Sequence, residues 1–176
     1  GRVPAIPIFL DSPLSIKATA VYRKYSSYFS DDAQRLIRSG DDIFNFPGLK
    51  QTLATDESKA INEVPSPKII IAGAGMMTGG RILHHARRYL PDSKNTILFI
   101  GYAAAGSVAR QIIEGARSVR LFGDDTPVRL HIESIRGYSA HADMNDLFAF
   151  VEKQKDTLKK VFVVQGDAAA SLFLVQ

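Results

Sequence analysis

The chain has no cysteine among its 176 residues, which excludes disulfides and thiolate metal sites and leaves the redox compartment open. No apolar run approaches the ~18 residues of a transmembrane helix, and no secretory signal pattern opens the sequence. A membrane partner is therefore not expected. Internal repeats and low-complexity tracts are absent. Charge of one sign is scarce: 22 basic against 18 acidic residues leave a net charge of +4. That excess permits a polyanionic partner without demanding one. Several enzyme signatures are also missing. There is no His-x-His-x-Asp-His or His-Glu-x-x-His ligand cluster, no Gly-x-Ser-x-Gly nucleophile elbow and no Gly-Lys-Ser/Thr P-loop. A hydrophobic content of 45% with 23% charged residues is ordinary for a soluble globular domain. The length suits one domain or one lobe of a larger protein.

What is present is an alternation of strands and helices. Candidate strands are Ala5–Leu10, Lys68–Ala72, Thr96–Tyr102, Ser118–Phe122, Val128–Arg136 and Lys160–Val164. Continuous β-branched runs such as Ile69-Ile70-Ile71 read as strands buried on both faces. The expected fold class is α/β: a three-layer unit with a mostly parallel sheet and helices on both faces. Ser12-Pro13 reads as an N-cap with proline at the first helical position. Leu14, Ala18, Val21 and Tyr25 continue that helix as an apolar stripe. Short helices are expected at Ala33–Arg38 and Asp56–Asn62, and further ones from near Gly80, Ser107 and Asp143. The last shows Leu147, Phe148, Val151 and Leu158 on one face. The abrupt opening on a strand implies further sequence upstream.

Three stretches carry the candidate chemistry. Ser139-Ala140-His141-Ala142-Asp143 follows a strand and opens a helix, which places His141 where open α/β sheets carry their sites. An imidazole there is poised for proton transfer, or merely packs near the helix start. The turn Gly73-Ala74-Gly75-Met76-Met77-Thr78-Gly79-Gly80-Arg81 follows a strand. Gly75, Gly79 and Gly80 would let backbone N–H groups approach a phosphate, with Arg81 adding a charged fork. The competing reading is a tight turn that needs glycine for its dihedrals. The turn from Gly101 to Arg110 repeats the pattern, with Gly106, Ser107 and Arg110 as the phosphate candidates and Ser107 as a plausible N-cap. If the two strands are parallel, the two loops share one sheet edge.

A dinucleotide-binding oxidoreductase is disfavoured. The glycine spacing is one residue too long between Gly75 and Gly79, and no acidic residue follows the next strand for a ribose. His84 and His85 are adjacent on a helix, point about 100° apart and cannot form a two-ligand face. Surface or packing roles fit them better, and His131 reads as structural.

In order along the chain, Asp11-Ser12-Pro13-Leu14, the Gly75–His85 run, Gly101-Tyr102 through Arg110, and Ser139–Asp143 resemble the β-CASP family. These are metallo-β-lactamase-fold nucleases that process RNA. The resemblance covers nearly the whole chain. It implies a β-CASP domain over residues 1–125 and the start of a returning metallo-β-lactamase portion over 126–176. The His-x-His-x-Asp-His motif and the family's first acidic motif would lie upstream. The intact parent is implied to hold two zinc ions and to hydrolyse RNA with metal-activated hydroxide. The chain alone is then inactive, its partners being RNA and the absent N-terminal half. A cytoplasmic location is expected, with a homodimer as one open assembly. His141 matches a family histidine implied to assist proton transfer at the scissile phosphate. The third motif, Val-His-Gly-Glu in the family, reads Val164-Gln165-Gly166-Asp167, so Gln165 stands at a zinc-ligand histidine position. That departure points to the alternative of a non-catalytic RNA-binding or scaffold member.

Overall fold

The computed structural model describes residues 5–40, 42–135, 137–138 and 141–175. The fold is α/β with parallel strands. β1 (Ile8–Leu10) runs parallel to β2 (Leu49–Gln51) on one side and to β3 (Ile69–Ile71) on the other. Phe9 lies level with Lys50 and Ile70 and is buried, as befits the central strand. A second parallel pair joins β4 (Thr96–Ile100) to β7 (His131–Ile135), with Phe99 level with Ser134. Between them in sequence, β5 (Ser118–Leu121) and β6 (Asp124–Pro127) form an antiparallel hairpin.

Local chemistry sets the helix starts. Ser12 caps α1 (Pro13–Lys24): its Oγ accepts from the Ser15 amide at 3.3 Å, and Pro13 takes the first helical position. Arg23 and Lys24 in the last turn complement the helix dipole. Ser30 caps α2 (Asp31–Arg38), where Asp31 and Asp32 suit the positive end. α3 (Thr55–Ala60) runs into a 3₁₀ turn at Ile61–Glu63. α4 (Arg81–Tyr89) follows Gly80, and α5 (Val108–Ile113) follows Ser107. α6 (Met144–Glu152) opens on a reciprocal box in which the Asp143 and Asp146 carboxylates each accept the other's amide. α7 is Ala168–Val175. No helix among the described residues is long and apolar enough to cross a membrane.

The main core lies where α4 and α5 meet β4 and β5. Ala86, Leu90, Phe99, Ala109, Ile112, Val119 and Leu121 are buried there. Met77, from the loop after β3, is only 1% exposed and plugs the same core.

Four expectations change. β3 is an edge strand whose Ile69 and Ile71 are 40% and 45% exposed, so the isoleucine run is not buried on both faces. Lys160–Val164 forms no strand and finds no pairing partner among the described residues. Val128–Arg136 resolves into a leading coil and β7, with Arg136 outside the described residues, while β6 just before it is an extra strand. α6 stops at Glu152, where Lys153-Gln154-Lys155-Asp156 breaks the apolar stripe, and Leu158 lies beyond it.

Candidate functional site

Among the described residues, the most heavily hydrogen-bonded side chain is Asp11, at the C-terminal end of β1. Its amide donates to the Ile71 carbonyl at 2.8 Å, and its carboxylate is fully buried. Oδ1 accepts from Thr52 Oγ1 at 2.6 Å and Arg81 Nη1 at 2.7 Å. Oδ2 accepts from Ser58 Oγ and pairs with His85 Nε2, both at 2.6 Å. Burial by itself pushes the Asp11 pKa up. The bonds from Ser58, Thr52, His85 and Arg81 outweigh it and lower the value from 3.8 to about 2. The carboxylate is therefore ionised and satisfied, which is the condition for burying a charge at tolerable cost.

This cluster corrects the expected place of Arg81. Its Nη1 also donates to the Thr52 carbonyl and its Nη2 to the Leu53 carbonyl, each at 2.7 Å. With its side chain 19% exposed, the guanidinium is committed inward and not held out on a rim. The adjacent histidines divide as their angular offset requires. His85 is buried on Asp11, while exposed His84 lies against Phe122, ring centroids 4.7 Å apart. Sequence reasoning missed the cluster. The available signal was the spacing of Arg81 and His85, four residues apart on one helix face and so able to grip one carboxylate.

The two glycine turns meet each other. The Met76 carbonyl accepts from the Ala109 amide at 3.3 Å, and Met76 Sδ from the Ala104 amide at 3.1 Å. Backbone geometry separates the two readings of the glycines. Gly80 and Gly106 have φ of +77° and +80°, a region that favours glycine. Gly75 and Gly79 do not, and a Cβ at either would meet nothing within 4 Å. The fold demands glycine at the first pair and leaves room at the second. Ser107 Oγ accepts from the Arg110 amide at 3.2 Å and donates to the Ala104 carbonyl at 2.7 Å, so it is an N-cap. Arg110 Nε donates to Glu114 Oε1 at 2.6 Å, and that partner raises the guanidinium's already high pKa.

The third convergence is at the C-terminal ends of β4 and β7, where the Gly101 amide donates to the Ile135 carbonyl at 2.9 Å. From this edge leave the Tyr102 loop and the segment leading to His141, which is exposed just before α6. Ser139 and Ala140 of that motif lie outside the described residues. Tyr102 OH donates to Asp167 Oδ2 at 2.7 Å, a bond that raises the phenol's pKa. Gln165, two residues before Asp167, has φ +64°. Among the described residues no group of three or more His, Asp or Glu is placed to hold a metal ion. Gln165 offers only an amide, a weaker zinc donor than imidazole or carboxylate.

Asp11→Asn is expected to cost about 3 kcal/mol of stability, because it leaves the Arg81 charge unpaired in a buried setting. The lowered Asp11 pKa also sets a sign with pH. Its contribution, about 2 kcal/mol, is complete above the ordinary carboxylate value of 3.8 and lost as pH falls toward about 2. Acid unfolding followed by circular dichroism checks both, the variant lacking this part of the acid transition.

Two family models match the chain: a Beta-Casp domain over residues 1–112 and a Zn-dependent metallo-hydrolase RNA specificity domain over residues 125–176. The chain is 34% identical over 173 residues to Ribonuclease TTHA0252 of Thermus thermophilus, covering 98% of this chain and 39% of that protein. It is 31% identical over 175 residues to the Transcription termination factor FttA of Thermococcus kodakarensis, covering 96% of this chain and 27% of that protein. The FttA of Methanocaldococcus jannaschii is 28% identical over 172 residues, covering 94% and 27%. The chain thus spans well under half the length of these relatives. With ordered motifs along its length and a family model matched over most of it, the chain belongs to the β-CASP family of RNA-processing nucleases.

Proposed function

We propose that this chain is the RNA-clamping part of a longer metallo-β-lactamase-fold ribonuclease, a hydrolase of RNA phosphodiester bonds. Residues 1–125 form the clamping insert and 126–176 the returning portion. The observation that carries the reading is the meeting of three segments: the first glycine turn bonded through Met76 to the second, and the second leaving the same β4–β7 edge as the segment to His141. In this reading Gly75, Gly79, Gly80, Gly106 and Ser107 shape the surface that faces phosphate, and Arg110 supplies its charge. Arg81 supports that surface from below by holding Asp11. His141 moves a proton at the scissile phosphate. The zinc ions belong to the intact parent, and this chain alone cleaves no RNA.

Arg110→Ala in the full-length protein is expected to weaken binding to all RNA sequences alike and to reduce the salt slope by about one. Filter binding across a salt series reads both. His141→Ala is expected to lower turnover by ~10²–10⁴-fold, the range for a general acid or base, with RNA affinity kept. Near-normal turnover would make His141 a packing residue.

One observation favours a second reading, a non-catalytic RNA-binding member of the family: the amide of Gln165 where the family places an imidazole. The full-length protein with Gln165 is expected to load fewer than two zinc ions, and Gln165→His to raise both zinc content and hydrolysis. Elemental analysis beside a cleavage assay separates the readings. Two tightly held zincs at full activity with Gln165 in place would show that another residue supplies the ligand.

A further inference from the structure

Tyr102 belongs to the second glycine turn, yet its hydroxyl reaches 65 residues along the chain to Asp167, at 2.7 Å. The segment it reaches is tight. Gln165 has φ +64°. A Cβ on Gly166 would come within 2.6 Å of Ser171 Oγ, so a larger residue there would make the Ser171 side chain turn away. The Asp167 carbonyl accepts the Ser171 amide at 2.9 Å, which locks the turn onto the start of α7. Asp167 is thereby joined to that helix, one and two residues after Gly166 and Gln165. Lys160–Val164, which leads into the turn, has no strand partner among the described residues and does not position it. Arg110, on the first turn of α5, lies near enough for its charge to bear on the Asp167 carboxylate. The loop expected to face phosphate is thus also the loop that grips the third motif.

We infer that Tyr102 is a positioning residue: through Asp167 it holds the Gln165–Asp167 turn at the β4–β7 edge from which the segment to His141 emerges. The inference deepens the ribonuclease reading and rests on it. A hydroxyl donating to a carboxylate is among the stronger hydrogen bonds. Both residues are solvent-exposed, so the bond adds little to global stability, and its effect is on where the turn sits.

The test uses the full-length protein and a fluorescently labelled single-stranded RNA. Tyr102→Phe is expected to lower kcat by about tenfold while KM stays within about twofold. Asp167→Asn is expected to do the same, and the double variant to be no slower than the slower single one. A Tyr102→Phe variant with unchanged kcat, or losses that multiply in the double variant, would overturn the inference. Amide hydrogen exchange across residues 165–168 supplies a readout that needs no cleavage. Faster exchange there in Tyr102→Phe, with an unchanged melting midpoint, supports the tie, and unchanged exchange overturns it. A wild-type protein that cleaves no RNA but shows this Tyr102-dependent protection defeats the hydrolase reading and leaves the tie standing.

Discussion

The ionised carboxylate of Asp11 is the point on which the N-terminal half of the fold depends. Its four side-chain partners come from the segment after β2, from α3 and from two turns of α4. Apolar burial in this region is limited to a few side chains, Phe9, Ile16 and Ile61 among the described residues, and the outer strand of the three-stranded sheet is half exposed. The charge network supplements that small core. It costs desolvation, offset only because every acceptor position is filled. The same network fixes the direction of α4, and α4 carries the end of the first glycine turn. Gly73 belongs to this arrangement as well, since a Cβ there would lie 2.8 Å from Ser12 Oγ, beside the cap of α1.

From that anchor the structure builds outward in two steps. Met77 ties the first glycine turn to the apolar core, and Met76 ties it to the second turn. The second turn leaves β4 beside β7, so one parallel pair delivers both a glycine loop and the histidine segment to a common edge. Parallel pairing is what makes this convergence possible. It places the C-terminal ends of strands distant in sequence side by side, with the hairpin β5–β6 serving as part of the crossover. Family membership and this geometry point the same way, although neither was needed to see the other.

Much of this was legible in the residues. Ser12-Pro13, Ser107 and Asp143 are short-range signals, and each marks a helix start in the structure, while the helix expected from Ala33 begins two residues earlier at Asp31. The β-branched runs located β3, β4 and β7 within a few residues. What escaped were features decided at long range. Leu49-Lys50-Gln51 has no strand pattern of its own and becomes β2 only because β1 offers it a ladder. Asp124–Pro127 is polar and pairs because the Phe122-Gly123 turn folds it back on β5. Arg81 reads locally as a cation behind a glycine turn. Only the approach of a carboxylate 70 residues away turns it inward. Tyr102 and Asp167 carry no joint signal either, being 65 residues apart.

The Met76 contact gives the cysteine-free chain a sulfur-based sensitivity of a different kind. A thioether accepting an amide hydrogen bond is a soft, replaceable contact. Oxidation to the sulfoxide replaces the soft sulfur acceptor, 3.1 Å from the Ala104 amide, by a polar oxygen placed about 1.5 Å beyond the sulfur. The contact between the two glycine turns must then be remade around a larger, polar group. Met77, buried in the core, is shielded from the same fate, and exposed Met144 can be oxidised without touching either turn. An oxidant would thus reach the junction of the two glycine turns through one methionine, and sulfoxide reduction would restore it.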